Sequence, residues 1–229
     1  MRDLANRMKV NYENRQRFYL TRRIPVIIRI DGRAFHSLTR DMEKPFDDTF
    51  IRAMKTATQA TADDMQGFKL AFVQSDEASF LLTDYDSLQT EAWLDYNLNK
   101  ITSLSASLMS VHFGLELGST AVFDSRAFNV PREEVANYFL WRAKDWHRNS
   151  IWMYAQSFFS HAEMQNKSIE DLHEMLHGAE RNWATDLAEH LRNGWWHVNN
   201  VWRSDILPVF KDVDAIVQPF MEGLRTDAP

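Results

Sequence analysis

Residues 29 to 36 read Arg-Ile-Asp-Gly-Arg-Ala-Phe-His and residues 74 to 77 read Gln-Ser-Asp-Glu, and each follows an extended apolar run. Carboxylates at two strand ends suit a divalent cation and, through it, the phosphates of a nucleotide. The run Pro25 to Ile30 is rich in β-branched residues and stops at Asp31-Gly32, where a glycine lets the backbone turn closely around a ligand. The runs Lys69 to Val73 and Ala78 to Leu82 flank Gln74-Ser75-Asp76-Glu77 closely enough for a hairpin with Asp76 and Glu77 at its tip. If the first strand pairs beside that hairpin, Asp31 and Asp76 meet. Either acidic pair alone reads as ordinary turn chemistry. Their joint placement points to a metal.

The elements that must position these groups follow the order strand, helix, strand, strand, helix, strand, helix, with a helical tail. This is an α+β chain with a ferredoxin-like βαββαβ core, in which the third strand lies antiparallel beside the first. Asp47 to Met65 has the helical spacing, with Phe50, Met54 and Ala57 apolar and an acidic pair to cap its start. From Ser87 to Val111, Leu94, Leu98, Ile101, Leu104, Leu108 and Val111 recur at spacings of three and four, one apolar face of a long helix. Gly118 to Asn129 reads as the fourth strand, and Pro131 opens the next helix. Residues 1–160 make the catalytic core and 161–229 a mostly helical extension of the same domain.

A chain of 229 residues that is 45% hydrophobic buries a real core. No stretch of about 18 apolar residues is present and the N-terminus lacks an apolar signal core, so no membrane partner and a cytoplasmic location are expected. Zero cysteines exclude disulfides, thiolate nucleophiles and cysteine-based zinc sites, which favours magnesium. With 26 Lys and Arg against 32 Asp and Glu the net charge is −6, so any nucleic-acid contact must be local. Positive charge clusters at Arg15, Arg17, Arg22 and Arg23 and again at Arg29, Arg33, Arg40 and Lys44. On the helix after Pro131, Arg142, Asp145 and Asn149 share one face and His147 and Arg148 lie further round, either as a balanced polar face or as a contact to a nucleotide or RNA end.

The segments R-I-D-G-R-A-F-H (29 to 36), K-P-F-D (44 to 47), Q-S-D-E-A-S-F (74 to 80), F-D-S-R-A-F-N-V-P (123 to 131) and W-R-A-K-D-W-H-R-N-S-I (141 to 151) resemble, in order, the tRNA-His guanylyltransferase family. The resemblance covers roughly the first 180 residues and implies a polymerase-palm-like fold that adds nucleotides to the 5′ end of tRNA, in the 3′-to-5′ direction. It implies that Asp31, Asp76 and the Gly32 carbonyl hold two Mg2+ ions with support from Glu77, and that Ser75 lies beside them. Arg33, Ala34, Phe35 and His36 would surround the triphosphate of GTP or another NTP, chiefly through backbone amides, with Lys44 adding charge and Asn149 nearby. Arg22, Arg23, Arg142, His147 and Arg148 would hold the RNA, either ATP or an existing 5′-triphosphate would serve 5′ activation, and the assembly would be a homotetramer. Dedicated tRNA-His enzymes carry H-I-N-N-L-Y-N where this chain has His-Arg-Asn-Ser-Ile-Trp-Met from 147 to 153, so the chain resembles the template-dependent 5′-repair branch.

His173-Glu174-Met175-Leu176-His177 matches H-E-x-x-H, a zinc metalloprotease pattern, but lacks the glycine and third histidine of the extended motif and reads as a solvated helix. The eight tryptophans read as core or subunit contacts. Alternative readings of the whole chain are a palm-type nucleotide cyclase and a catalytically silent RNA-binding module. The run Gly194 to Asn200 carries no assignment.

Overall fold

Val26, Ile28 and Ile30 point to one face of a sheet and Ile27 to the other, and all four are fully buried. That alternation, with apolar residues in both phases, calls for helices on both faces. In the computed structural model, which describes residues 3–222, the strands are β1 (Val26–Gly32), β2 (Phe68–Gln74), β3 (Glu77–Leu82), β4 (Phe123–Asn129), β5 (Trp195–Val198) and β6 (Val201–Arg203). They form one antiparallel sheet in the order β4-β1-β3-β2-β5-β6. The helices are α1 (Leu4–Asn11), α2 (Phe35–Leu38), α3 (Asp48–Asp63), α4 (Leu98–Leu117), α5 (Arg132–Ala155), α6 (His161–Met164), α7 (Ile169–Gly178), α8 (Trp183–Asp186), α9 (Glu189–Asn193) and α10 (Phe210–Val217).

Helices α3 and α4 cover one face, where Met54, Ala57, Ile101, Met109 and Phe113 pack on Ile28, Ile30, Val73 and Phe80. Helices α5 and α10 cover the other, where Phe139, Ala143 and Val213 pack on Ile27, Phe72, Leu81 and Trp196. A smaller cluster joins the second half of α5 to α7 and α8 through Ile151, Tyr154, Leu172, Leu176 and Trp183. Asp47 caps α3 by accepting from the Phe50 amide at 2.9 Å, as its sequence suggested.

Three expectations shift. The second long helix begins at Leu98 rather than Ser87, and its buried stripe is Ile101, Ser105, Met109 and Phe113, leaving Val111 exposed. Ser105 supplies the close approach to the sheet, its hydroxyl 2.8 Å from that of Ser125 on β4. The fourth strand begins at Phe123 rather than Gly118. The C-terminal segment is not helical throughout: Gly194 to Asn200 folds into β5 and the turn before β6, and β5 adds to the free edge of β2 through Leu70↔Val198 and Val73↔Trp195. Asn199 and Asn200 both have positive φ, 50° and 59°, which is what a two-residue hairpin turn requires. Residues 223–229 of the expected extension lie outside the described residues.

Candidate active site

Strand pairing brings the two acidic segments together. Asp31 pairs with Glu77 on β3 and with Asp124 on β4, and the Gly32 amide donates to the Asp76 carbonyl at 3.0 Å. Gln74 and Glu77 are partners, so Ser75 and Asp76 alone make the β2–β3 turn. Ser75 has φ 45°, a left-handed backbone rare for a side-chain-bearing residue, which marks the tip as strained. Asp31, Ser75, Asp76, Glu77, Arg142, Asp145 and Asn149 line one polar cleft.

The carboxylates there have different fates. Burial pushes the Asp76 acid up to about 6, and the charges of Asp31 and Glu77 add to that. A cation bound between Asp31 and Asp76 relieves both costs. Glu77, by contrast, is already neutralised: Arg142 Nε donates to its Oε1 at 2.7 Å and Nη2 to its Oε2 at 2.8 Å, and Gln74 Nε2 adds a bond at 3.1 Å. Its two oxygens are engaged, which corrects the expectation of Glu77 as a ligand. No group of three metal-ligating side chains occurs among the described residues. The donor set is therefore the carboxylates of Asp31 and Asp76 at an open rim; Gly32 does not line the cleft. Such a set suits magnesium, which keeps waters and phosphates rather than a full protein cage.

Next to this cleft lies a cavity of about 280 Å³, walled by Phe35, His36, Met42, Lys44, Pro45, Phe46, Gln74, Ser75, Asp76, Trp146, Met153, His190, Leu191 and Trp195. The two spaces share Gln74, Ser75, Asp76, Trp146 and Met153, so a polar cleft and a largely apolar cavity adjoin. His36 and Lys44 face this cavity, and Lys44 Nζ donates to the Thr39 carbonyl at 2.5 Å. Phe35 is core, its ring among Phe50, Phe113 and Phe123. Gly32 serves that ring, since a Cβ at 32 would collide with Phe35. The glycine makes room for packing rather than for a ligand. Ala34 has φ 58° and turns the chain into α2, while the Arg33 amide already donates to the Val122 carbonyl at 2.8 Å and is not open to a phosphate. The walls from Met42, Phe46, Trp146, Met153, His190 and Trp195 have no counterpart in the sequence expectation.

The basic residues divide. Arg22 and Arg23 sit at the far end of β1, about 20 Å from Asp31 at the strand's rise per residue. Arg22 binds Asp84 at 2.5 Å and Arg23 donates to the carbonyls of Asp84, Ser87 and Leu88. They fasten the loop after β3 and do not face the site. Arg142 is a buried strut to Glu77 rather than an RNA contact. His147 packs against Trp183 with ring centroids 4.6 Å apart, and burial holds its pKa down, so it belongs to the small helical core. Arg148 is exposed, paired with Asp145 at 2.6 Å, and Asn149 lines the cleft. His173 and His177 are exposed on α7 and lie in no metal cluster among the described residues.

The family model for tRNAHis guanylyltransferase matches residues 5–131, which include β1, α3, β2, β3, α4 and β4. The chain belongs to this family of nucleotidyltransferases. A probable tRNA(His) guanylyltransferase of Drosophila melanogaster is 32% identical over 133 residues, 56% of this chain and 46% of that protein. The chain thus matches about half the length of such a relative. Two solved structures of a bacterial tRNA(His) guanylyltransferase-like protein, each 37% identical, match far more of the chain. The complex with ATP has a TM-score of 0.90 over 96% of this chain and 99% of that one. The complex with GTP has a TM-score of 0.83 over 95% and 98%. The family's palm-like fold is the sheet and helices described above. No described helix is long and apolar enough to cross a membrane.

Proposed function

We propose that this chain adds nucleotides to the 5′ end of a tRNA in the 3′-to-5′ direction, using magnesium and a nucleoside triphosphate. The observation that carries the reading is the meeting of Asp31 and Asp76 at a polar rim beside an apolar cavity, in a family of guanylyltransferases. The complexes of the bacterial relative with ATP and with GTP support a triphosphate as the occupant.

In this reading the base enters the cavity between Met42, Phe46 and Trp195, and Lys44 and His36 hold the triphosphate. Asp31 and Asp76 would hold divalent cations, which when bound would polarise phosphoryl oxygens and the attacking hydroxyl. The 3′-hydroxyl of the incoming nucleotide attacks an activated 5′ phosphate on the RNA. An O3′–P bond forms, the bond to the leaving phosphate breaks, and the hydroxyl proton passes to solvent. Ser75 and the turn it strains fix where Asp76 points. Arg148 and Asn149 stand where the acceptor end would approach.

The cavity walls carry large apolar side chains such as Met42, Phe46, Met153 and Leu191, which would grip a base through its faces. That supports selection by base pairing with the opposite strand, in line with the His-Arg-Asn-Ser-Ile-Trp-Met stretch at 147 to 153. A tetramer is the assembly this reading carries. It comes from the family resemblance, and α1, which buries none of its residues and leaves Leu4 62% exposed, is a surface such an assembly would cover. A tRNA lacking its first nucleotide, offered each labelled triphosphate while the opposing base is varied, tests the reading. Incorporation that follows the opposing base supports repair. Guanylate incorporated whatever the opposing base overturns template dependence, and absence of transfer overturns the function.

A further inference from the structure

The C-terminal hairpin builds a second groove on the outer side of the cavity wall. It is lined by Asp48, Ile51, Arg52, Lys55, Thr56 and Gln59 from α3 and by His190, Trp195 and Trp202. Ile51, His190 and Trp195 line both spaces, so the groove adjoins the proposed nucleotide cavity across a shared wall. At about 410 Å³ it is of the size that holds a small ligand or a single nucleotide.

Its central feature is a cation without a counter-charge. Lys55 Nζ lies 3.4 Å from the centre of the Trp195 ring and 5.1 Å from that of Trp202. Arg52 is paired with Glu116 at 2.9 Å, whereas Lys55 has no ion-pair partner among the described residues. Burial lowers its pKa, the signature of an ammonium partly stripped of water with no acid in compensation. Asp48, the one acid on the groove, acts on His190, whose ring stacks on Trp195 at 5.0 Å. The two indoles stand at 90° and 6.4 Å, and Trp202 is fixed by a bond from its Nε1 to Gln59 Oε1 at 3.2 Å. A fixed cation flanked by rigid aromatic surface is how proteins hold a single-stranded nucleic acid, the phosphate on the charge and a base on the ring.

We propose that this groove holds one nucleotide of the RNA substrate, its phosphodiester on Lys55 and its base against Trp202, where the strand leaves the nucleotide cavity. This rests on the functional reading above, because the groove's place against the wall of the nucleotide cavity is what selects RNA over another polyanion. The lysine stem and Trp195 also form the back of the wall that a bound nucleotide touches.

Lys55→Met tests it, since methionine keeps the apolar stem against Trp195 and removes the charge. Binding of fluorescein-labelled tRNA is measured by anisotropy across a salt series, and GTP binding by calorimetry. The variant is expected to bind RNA about tenfold more weakly, as loss of a charge-assisted contact implies. Its salt slope should fall by about 0.7–0.9. GTP affinity should stay within about twofold, since Lys55 lines only the outer groove, and Lys55→Arg should restore the salt slope. Unchanged RNA affinity and slope in a folded variant overturns the proposal. Parallel loss of GTP and RNA binding also overturns it, by assigning Lys55 to wall packing. Wild-type protein that binds tRNA with full salt dependence but transfers no nucleotide brings down the functional reading and leaves the groove standing.

Discussion

Removing the Arg142 side chain isolates the role of the Glu77 carboxylate. The pair is almost wholly out of water, with side-chain exposures of 8% and 10%, and both Glu77 oxygens accept from the one guanidinium. Arg142→Met takes away the counter-charge and keeps most of the apolar volume. An ion pair replaced as a unit is often close to neutral, but one partner left buried alone costs about 3–5 kcal/mol. For a domain of this size that corresponds to a fall in melting temperature of roughly 6–20 °C. Arg29, 3.9 Å from Glu77, recovers only a part because its geometry is poor. The double variant Arg142→Met/Glu77→Gln removes the stranded charge and is expected to melt well above the single variant. Thermal unfolding of the three proteins at pH 7.5, with calorimetric enthalpies, gives the coupling directly. A single variant within 1 kcal/mol of wild type, or a double variant no more stable than the single, refutes the account of Glu77 as a clamped residue and returns it to the set of free ligands.

Asp76 gives a pH-dependent counterpart. Its acid is raised from 3.8 to about 6 in the fold, so the folded state binds the extra proton between those values and stability falls as pH rises through that window. Asp76→Asn is therefore expected to stabilise the metal-free protein by about 1–2 kcal/mol above pH 6, after allowance for partial exposure, and to converge with wild type below about pH 4. Denaturant unfolding across pH checks this, and a variant less stable than wild type at pH 7 contradicts it. Gly32→Ala should cost about 1–3 kcal/mol by driving a methyl into the Phe35 ring. Phe35→Leu in the same chain should recover part of that loss, and additive losses in thermal melts would place the strain elsewhere. Chelator-treated wild-type protein should gain stability when magnesium is added back, by mass action on the Asp31 and Asp76 site, whereas Asp76→Asn should gain little.

The site was legible where local pattern decides structure. The β-branched run Pro25 to Ile30 and the two-residue gap between Gln74 and Glu77 mark strands, and their pairing carries Asp31 to the tip that bears Asp76. Charged side chains were not legible, because a guanidinium reads the same whether it faces solvent or a buried acid. The partners of Arg22 and Arg142 lie 62 and 65 residues away. The start of α4 was displaced for a similar reason: Arg23 holds the carbonyls of Ser87 and Leu88 in a loop that helical periodicity cannot reveal. The hairpin at Trp195 was missed because its strands are four and three residues long and earn their place only by pairing with β2. Its readable signal was Asn199-Asn200, a pair that tolerates the left-handed turn.

The central claim is that Asp31 and Asp76 form the centre at which a nucleotide joins the 5′ end of RNA. Its most direct test is transfer of label from α-labelled GTP to a 5′-truncated, 5′-activated tRNA in magnesium. Wild type, Asp31→Asn and Asp76→Asn would be compared with folding verified for each. Label is expected at the RNA 5′ end with wild type, and either variant should lose several kcal/mol in transition-state stabilisation, at least about a thousandfold in rate. Near-normal transfer by either variant, or a wild type that leaves the RNA unlabelled, contradicts it.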